Sequence, residues 1–399
     1  MGESRSQELL QQVSGHPWRT FPVHPMVPLD AAAQLGVEGA EHFQQEDLLS
    51  DQDLLYLASA ARQALADSGL STDPSGNTTM AMVLGHENPG LGRLVNELWD
   101  SFFRTPRASD EVVDAAEDLF RRHRVAFFHL QGFSYLFHIA RILAINGHNL
   151  IVNNACATGL YALEHAHQLI QTQRADAVLV ATADHATQLT KCLWFADHGM
   201  YSPSGALRPF DRRRDGVVLG DAGAAVVVEE LEHARRRGAR VYAEYVGGAF
   251  GQETWRMTLP DVTSHTYERV VRSALEATET QPPGVDLIVA HGTGSTLADR
   301  YEAASLEGAF SGQVPQVTAL KGYVGHTLGC CALLETVFSL LVLRDGVVPA
   351  AKNFEEPDPA IGLPLVKESL PRQVRTILRT VNAFGGFDAA VVLRSPPGG

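Results

Sequence analysis

The sequence predicts an α/β protein of two similarly built halves, each a sheet covered by helices on both faces. Three observations predict it. Apolar strand-like runs without polar alternation recur between helical stretches, the pattern of strands buried on both faces. Each half offers a helix, a buried strand ending in a polar loop, and a short strand feeding an apolar helix. The chain has 399 residues, more than one core usually organises, and a division near residue 240 gives halves of 1–240 and 241–399.

The elements follow in order. WRTFPVHPMVP holds three prolines, which argue against a central strand. Asp53 to Gly69 is an amphipathic helix closed by its glycine. Thr79 to Glu87 (TMAMVLGHE) is a buried strand leading into a loop. Arg93 to Arg124 is charged, helical text. FSYLFHIARILAING is a helix ending at Gly147. Then NLIVNNA is a strand, Ala157 to Gln171 a helix, and ADAVLVATAD the next strand. In the second half a helix, Tyr267 to Thr278, leads to the strand VDLIVAHGTGS. PQVTAL is a strand, LKGYVGHTLGCCALLETVFSLLVLRDG a turn and a long apolar helix, and TILRTVNAFGG and AAVVLR close the chain as strands.

Composition narrows the function classes. Hydrophobic residues make up 45% and charged residues 20%, as in an ordinary globular protein. The formal net charge of -14 argues against a nucleic-acid partner, which needs a basic footprint. No apolar run reaches the about 18 residues of a membrane span. Four cysteines, no CxxC pair and no signal-peptide pattern point to a cytoplasmic protein without a structural metal.

The chemistry centres on NNACATGLYAL. Cys156 stands where a strand gives way to a helix. There it is either a small buried thiol or a nucleophile whose pKa the helix N-terminus lowers. AHGTGS puts His291 just past a buried strand, where parallel sheets present their chemistry. LKGYVGH puts Lys321 and His326 at the turn into the second apolar helix. If the halves pack pseudo-symmetrically, the thiol and both imidazoles converge. Such a set suits acyl transfer to sulfur, followed by stabilisation of an enolate oxygen by two neutral imidazole N–H donors. Cys330–Cys331 reads as small filler at a helix crossing. The Arg212–Arg214 and Arg235–Arg237 runs read as solvated faces.

These motifs, in this order, resemble the elongating β-ketoacyl-acyl-carrier-protein synthases of the thiolase-like fold, including type II polyketide and fatty-acid ketosynthases. The resemblance runs from about Glu46 to Leu393. NACATG is similar to the nucleophile motif, HGTGSTLAD (His291 to Asp299) to the first histidine motif and LKGYVGHTLGCCALLE to the second. RPFDRRRDGVVLGDAGAAVVVE resembles the long linking signature and AFGGF the gate loop. Initiating synthases of this fold carry Asn where His326 stands, and thiolases a second Cys near the gate.

The resemblance implies a layered αβαβα fold and a decarboxylative Claisen condensation with malonyl-carrier protein after acyl transfer to Cys156. It implies that Lys321 tunes His291, with Glu335 as counter-ion, and that backbone N–H groups of Cys156 and Phe384 form the oxyanion hole in a gate containing Gly385. Thr258, Thr293 and Ser295 would touch the 4′-phosphopantetheine arm, which arrives on an acyl carrier protein, so that no resident cofactor is needed. A homodimer, or a heterodimer with a ketosynthase-like subunit, is implied too. Lys321–Glu335 as a structural ion pair and Phe384 as a core ring are the plainer readings. The pattern departs at the first strand, where ESRSQELLQQVSGHPWRTFP replaces the usual run, at Thr296 where Pro is usual, at the short gate, and at Asp221 where Glu is usual. Those departures motivate a second function, an acyltransferase forming an ester or amide; a third is a non-catalytic partner subunit like a chain-length factor, and Cys156 counts against it.

Overall fold

The computed structural model describes residues 21–27, 29–71, 80–103, 121, 123–124 and 126–396. Helices Ala31–Gln45 (α1) and Gln52–Ser68 (α2) precede strand Met80–Gly85 (β1). Helices Leu91–Phe103 (α3) and Gly132–Leu143 (α4) lead to strand Asn149–Val152 (β2), helix Thr158–Gln171 (α5), strand Ala177–Asp184 (β3), helix Leu189–Asp197 (α6) and strand Ala222–Glu229 (β4). After the short helix Leu231–Arg236 (α7) come strand Glu244–Gln252 (β5), helix Thr266–Ala277 (α8), strand Leu287–Ala290 (β6), helix Thr296–Ala309 (α9), strand Gln316–Ala319 (β7), the single turn Lys321–Val324 (α10) and helix Cys331–Asp345 (α11). The pair Val347–Val348 (β8) and Leu370–Pro371 (β9), then strands Thr376–Asn382 (β10) and Phe387–Arg394 (β11), complete the chain.

Local chemistry sets these boundaries. Asp51 caps α2 by accepting from the Leu54 N–H, and Gly69 ends it at a left-handed φ of 69°. The helix expected to reach Gly147 stops at Leu143, because Ala144 turns left-handed at φ 53°. The charged stretch after Arg93 is helical to Phe103, and most of the remainder lies outside the described residues. Besides the two-residue pair β8 and β9, two strands carry little signal of their own in the sequence. β4 was absorbed into a motif, and β5 (EYVGGAFGQ) carries three glycines, which weaken a strand signal. The first segment lies largely outside the described residues. Past it, among the prolines, His24 makes one isolated bridge to Gly220.

The layers are helix, sheet, helix, sheet, helix. α2 packs on β3 and β4. α5 lies between the sheets, touching β1 and β3 on one side and β5 and β11 on the other. α11 runs beside it between β4 and β10. α8 covers β5 and β11 from outside and α9 packs on α8. The central layer is largely apolar, with Leu160, Leu163, Val180, Leu333 and Val391 buried in one cluster that includes Cys156. This is the thiolase-like architecture the motifs implied.

The sheets repeat one plan. The first has the order β2-β1-β3-β4 and the second, read from its matching end, β7-β6-β10-β11-β5. In each the first three strands are parallel and the fourth is antiparallel. β5 then pairs antiparallel with β11, whereas among the described residues β4 has no outer neighbour. A cavity of about 490 Å³ opens along β4, lined by Val226, Val228, Leu163, Tyr245 and Leu340. By analogy with β5 in the second sheet, this edge is where a first strand would pair, and none does so among the described residues. Equivalent strands β2 and β7 feed the two central helices, so both helix starts face the same midplane.

Candidate active site

Cys156 follows β2 on a sharp elbow. Ala155 takes φ 48°, a left-handed conformation that L-residues adopt rarely and that concentrates at functional sites. The elbow is pinned by hydrogen bonds: the Asn154 N–H donates to Thr158 Oγ1 at 2.9 Å, and that hydroxyl donates to the Ala155 carbonyl at 2.6 Å. The sulfur is 3.4 Å from His326 Nε2.

His326 has a defined tautomer. Its Nδ1 accepts the Leu328 N–H at 3.2 Å, so in the neutral ring Nε2 carries the proton and points it at the sulfur. His326 is therefore a donor toward Cys156 and not its base. His291 is arranged the same way. Its Nδ1 faces the Lys321 ammonium at 3.1 Å, which leaves Nε2–H free on the other side. Burial, and then the positive charge of Lys321, hold its pKa well below the ordinary value, so the ring is neutral. The two rings meet edge to face with centroids 5.5 Å apart.

Lys321 uses all three of its protons: on the His291 carbonyl at 2.6 Å, on His291 Nδ1, and on Glu335 Oε1 at 2.8 Å. The other Glu335 oxygen takes Arg379 Nη2 at 2.8 Å. Arg379 was missed in the sequence, as was Glu302, whose buried carboxylate accepts the backbone N–H groups of His291 and Gly292 at 2.7 and 2.8 Å. Burial lowers the Lys321 pKa, but the charges of Glu335 and Cys331 and the hydrogen bond to Glu335 together outweigh it, and the net shift is upward.

The expected depression of the Cys156 pKa is not found. The thiol lies ahead of the α5 N-cap, Ala157. Its hydrogen bond with the Cys331 thiol, and then burial, push its pKa up. Cys331 is shifted down: burial opposes ionisation, but the hydrogen bond from Cys156 and the Lys321 charge prevail. Cys331 is thus a neighbour of Cys156, where the sequence suggested small filler. Its sulfur also donates to the Cys156 carbonyl at 3.4 Å.

The linking signature clamps both histidine loops. Val218 and Gly220 bond the backbone of His326 at 2.7 and 3.1 Å, the Gly216 N–H donates to the Gly294 carbonyl, and the Phe210 N–H donates to Asp299 at 2.7 Å. In the run Arg212–Arg214, read as a solvated face, Arg212 and Arg213 are exposed and paired with Glu356 and Glu355. Arg214 is buried, on Asp358 and the Thr296 carbonyl. Asp221 ties the Met26 N–H to Thr187, joining the entering segment to the fold.

Thr293 and Ser295 are half-buried on the His291 loop, where the Ser295 N–H donates to Thr293 Oγ1. Phe384 stacks on Phe195 at 5.9 Å and meets the Trp194 edge at 6.0 Å. Gly385 donates its N–H to the Met257 carbonyl at 2.6 Å, which brings the Thr258 loop against the gate. No hydrogen bond joins Thr258 to the Cys–His–His centre among the described residues.

The Cys156, His291 and His326 ligand atoms lie within 4.8 Å of one another, close enough for a metal ion. The tautomers oppose that use. A metal needs a bare Nε2 lone pair, and the proton would have to move to Nδ1, which already receives Leu328 N–H in one ring and Lys321 in the other. The arrangement suits hydrogen-bond donation to an oxygen seated beside the sulfur. Among the described residues no helix is long and apolar enough to cross a membrane.

Comparison with known proteins agrees with this geometry. A model described as "Beta-ketoacyl synthase, N-terminal domain" matches residues 40–234, and one described as "Beta-ketoacyl synthase, C-terminal domain" matches residues 242–355. A Streptomyces halstedii protein named as a polyketide beta-ketoacyl synthase 1 is 33% identical over 87% of this chain and 82% of its own. The 3-oxoacyl-[acyl-carrier-protein] synthase 2 of Coxiella burnetii is 35% identical over 62% of each chain. The solved ishigamide ketosynthase/chain length factor is 27% identical, covering 86% of this chain and 82% of its own, with a TM-score of 0.77. Fold, motif order and these matches coincide, and the chain belongs to the β-ketoacyl synthase family.

Proposed function

We propose that the chain condenses carrier-bound acyl groups: Cys156 takes the acyl chain, and a malonyl-carrier then extends it by decarboxylative Claisen condensation. The observation that carries this reading is the pairing of one sulfur with two imidazoles whose Nδ1 atoms are already engaged, so that both present Nε2–H, one of them 3.4 Å from the sulfur.

Cys156 attacks the acyl thioester. Its proton leaves with the departing carrier thiol, since His326 Nε2 already holds one. The malonyl thioester then loses CO2, and the electron pair of the broken C–C bond becomes an enolate. His291 and His326 donate to its oxygen, a contribution of the oxyanion-hole kind. The enolate carbon attacks the acyl–sulfur carbonyl and the Cys156 thiolate leaves. Lys321, Glu335 and Arg379 hold His291 neutral and aimed. Thr258, Thr293 and Ser295 border the path of the phosphopantetheine arm, and Phe384 with Gly385 forms the gate. No resident cofactor takes part.

The partners that fit are an acyl carrier protein and a second ketosynthase-like subunit. Among the described residues β2 is an edge strand of the first sheet, and Phe133 and Phe137 on α4 are exposed, a surface such a subunit would cover.

The test is intact-mass labelling with acyl-carrier, followed by malonyl-carrier. The expected result is acyl addition that Cys156→Ala abolishes, then CO2 release and a β-ketoacyl product. Labelling without either later product would sink the condensation reading, and no labelling would sink both steps.

A further inference from the structure

We propose that Cys156 and Cys331 join as a reversible disulfide when the protein meets a peroxide, so that Cys331 protects the nucleophile from irreversible oxidation. The proposal goes beyond acyl transfer and rests on the meeting of two helix starts from different halves.

Cys331 opens α11 and Cys156 precedes α5, and the two helices cross with almost no space between them. A Cβ on Gly159 would stand 2.3 Å from the Leu333 backbone nitrogen. The Cys331 sulfur is 3.4 Å from the Cys156 carbonyl oxygen, which sets the two cysteines side by side across the helix crossing. The adjacent Cys330 points the other way, donating to the Thr182 carbonyl and accepting from its hydroxyl, both at 3.4 Å. The remaining thiol, Cys192, is buried in another cluster. All four thiols are free, and the Cys156–Cys331 pair adjoins the His326 and Lys321 donors that favour a thiolate.

The chemistry balances with hydrogen peroxide as the oxidant. The thiolate of the pair attacks one peroxide oxygen, an S–O bond forms, the O–O bond breaks, and hydroxide leaves. The second thiol then attacks the sulfenic sulfur, the S–S bond forms, and the S–OH oxygen departs as water. The sum is two thiols and one peroxide giving one disulfide and two waters. A dithiol reverses it by exchange. Without Cys331 the sulfenic acid on Cys156 has no partner thiol beside it and proceeds to sulfinic and sulfonic acids. While the bond stands, Cys156 cannot take an acyl group.

The full-length protein is treated with hydrogen peroxide, quenched with N-ethylmaleimide, and mapped by non-reducing peptide mass spectrometry. The expected result is a cross-linked peptide pair containing Cys156 and Cys331, lighter by two hydrogens, with Cys192 and Cys330 alkylated once the chain is denatured. Acyl labelling is lost and then restored by dithiothreitol. Cys331→Ala, checked for folding by thermal melt, instead accumulates oxygen on Cys156 and does not recover. Oxygen on Cys156 in the native chain with Cys331 still alkylatable overturns the proposal. So does full recovery in the variant. The cross-link is read by mass alone, so its failure is separable from any failure of the condensation assay.

Discussion

Glu335 is the residue whose removal tests the electrostatic design of the site most directly. It bridges two cations, Lys321 and Arg379, at 2.8 Å each, and all three side chains are at most 1% exposed. Glu335→Gln keeps the shape and removes the charge, and its amide turns a donor toward one of the cations. Breaking a buried pair from one side costs about 3–5 kcal/mol. A chain of 399 residues has an unfolding entropy of roughly 0.8 kcal/mol/K at ~2.1 cal/mol/K per residue. The apparent Tm therefore falls by about 4–6 °C. Lys321 is held above its ordinary pKa, so its stabilisation is complete below about pH 10 and lost only above that. The Tm difference should thus stay constant from pH 7 to 9. Lys321→Met added to Glu335→Gln removes one stranded cation and should cost less than the two single changes together. A Tm drop under about 1 °C, or strict additivity of the pair, would refute the reading of Glu335 as an obligatory counter-ion.

Three other outcomes follow from the same geometry. His326→Ala should retain acyl labelling of Cys156 but lower malonyl decarboxylation by about 10²–10³-fold, the usual loss of one oxyanion donor; equal loss of both steps in single-turnover assays would contradict its role as a donor. His291 is held far below its unfolded pKa, so the unfolded chain binds the proton that the folded one refuses. Its contribution to stability is complete above about pH 6.5 and falls as pH drops below that. His291→Asn should therefore flatten the Tm-versus-pH curve between pH 7 and 5, and parallel curves would argue otherwise. Gly159→Ala forces α5 from α11 and should cost about 1–3 kcal/mol in urea unfolding while slowing Cys156 acylation; an unchanged midpoint would mean the helices have slack.

How much of this was legible depends on whether the cause was local. The buried strands β1, β3 and β6 were readable because both-face burial writes itself as an uninterrupted apolar run. Cys156, His291, Lys321 and His326 stood out because chemistry-bearing side chains in tight turns at strand ends have few other uses. Arg379 did not stand out. In TILRTVN it looks like the outward position of a strand, and its burial is explained by the second oxygen of Glu335, on α11, and the Val289 carbonyl, on β6. Arg214 was hidden the same way, one of three consecutive arginines selected for burial by Asp358 and the Thr296 carbonyl.

The direction of the Cys156 shift is the clearest instance of a non-local cause. A helix start beside a cysteine argues for a lowered pKa, yet the largest influence on the thiol is a sulfur 175 positions away in sequence. Which of two adjacent cysteines supplies it depends on chain direction at the start of α11, which turns Cys330 toward Thr182 and Cys331 toward Cys156. The consequence can be measured. With Cys331 present, the shift on Cys156 is upward, because its thiol is bonded to a more easily ionised neighbour. Cys331→Ala removes the acceptor and should move the pH midpoint of Cys156 alkylation by iodoacetamide, followed at its own peptide, to lower pH. A midpoint that stays in place would mean that burial alone sets the thiol's acidity, and that contact between the two halves has no part in it.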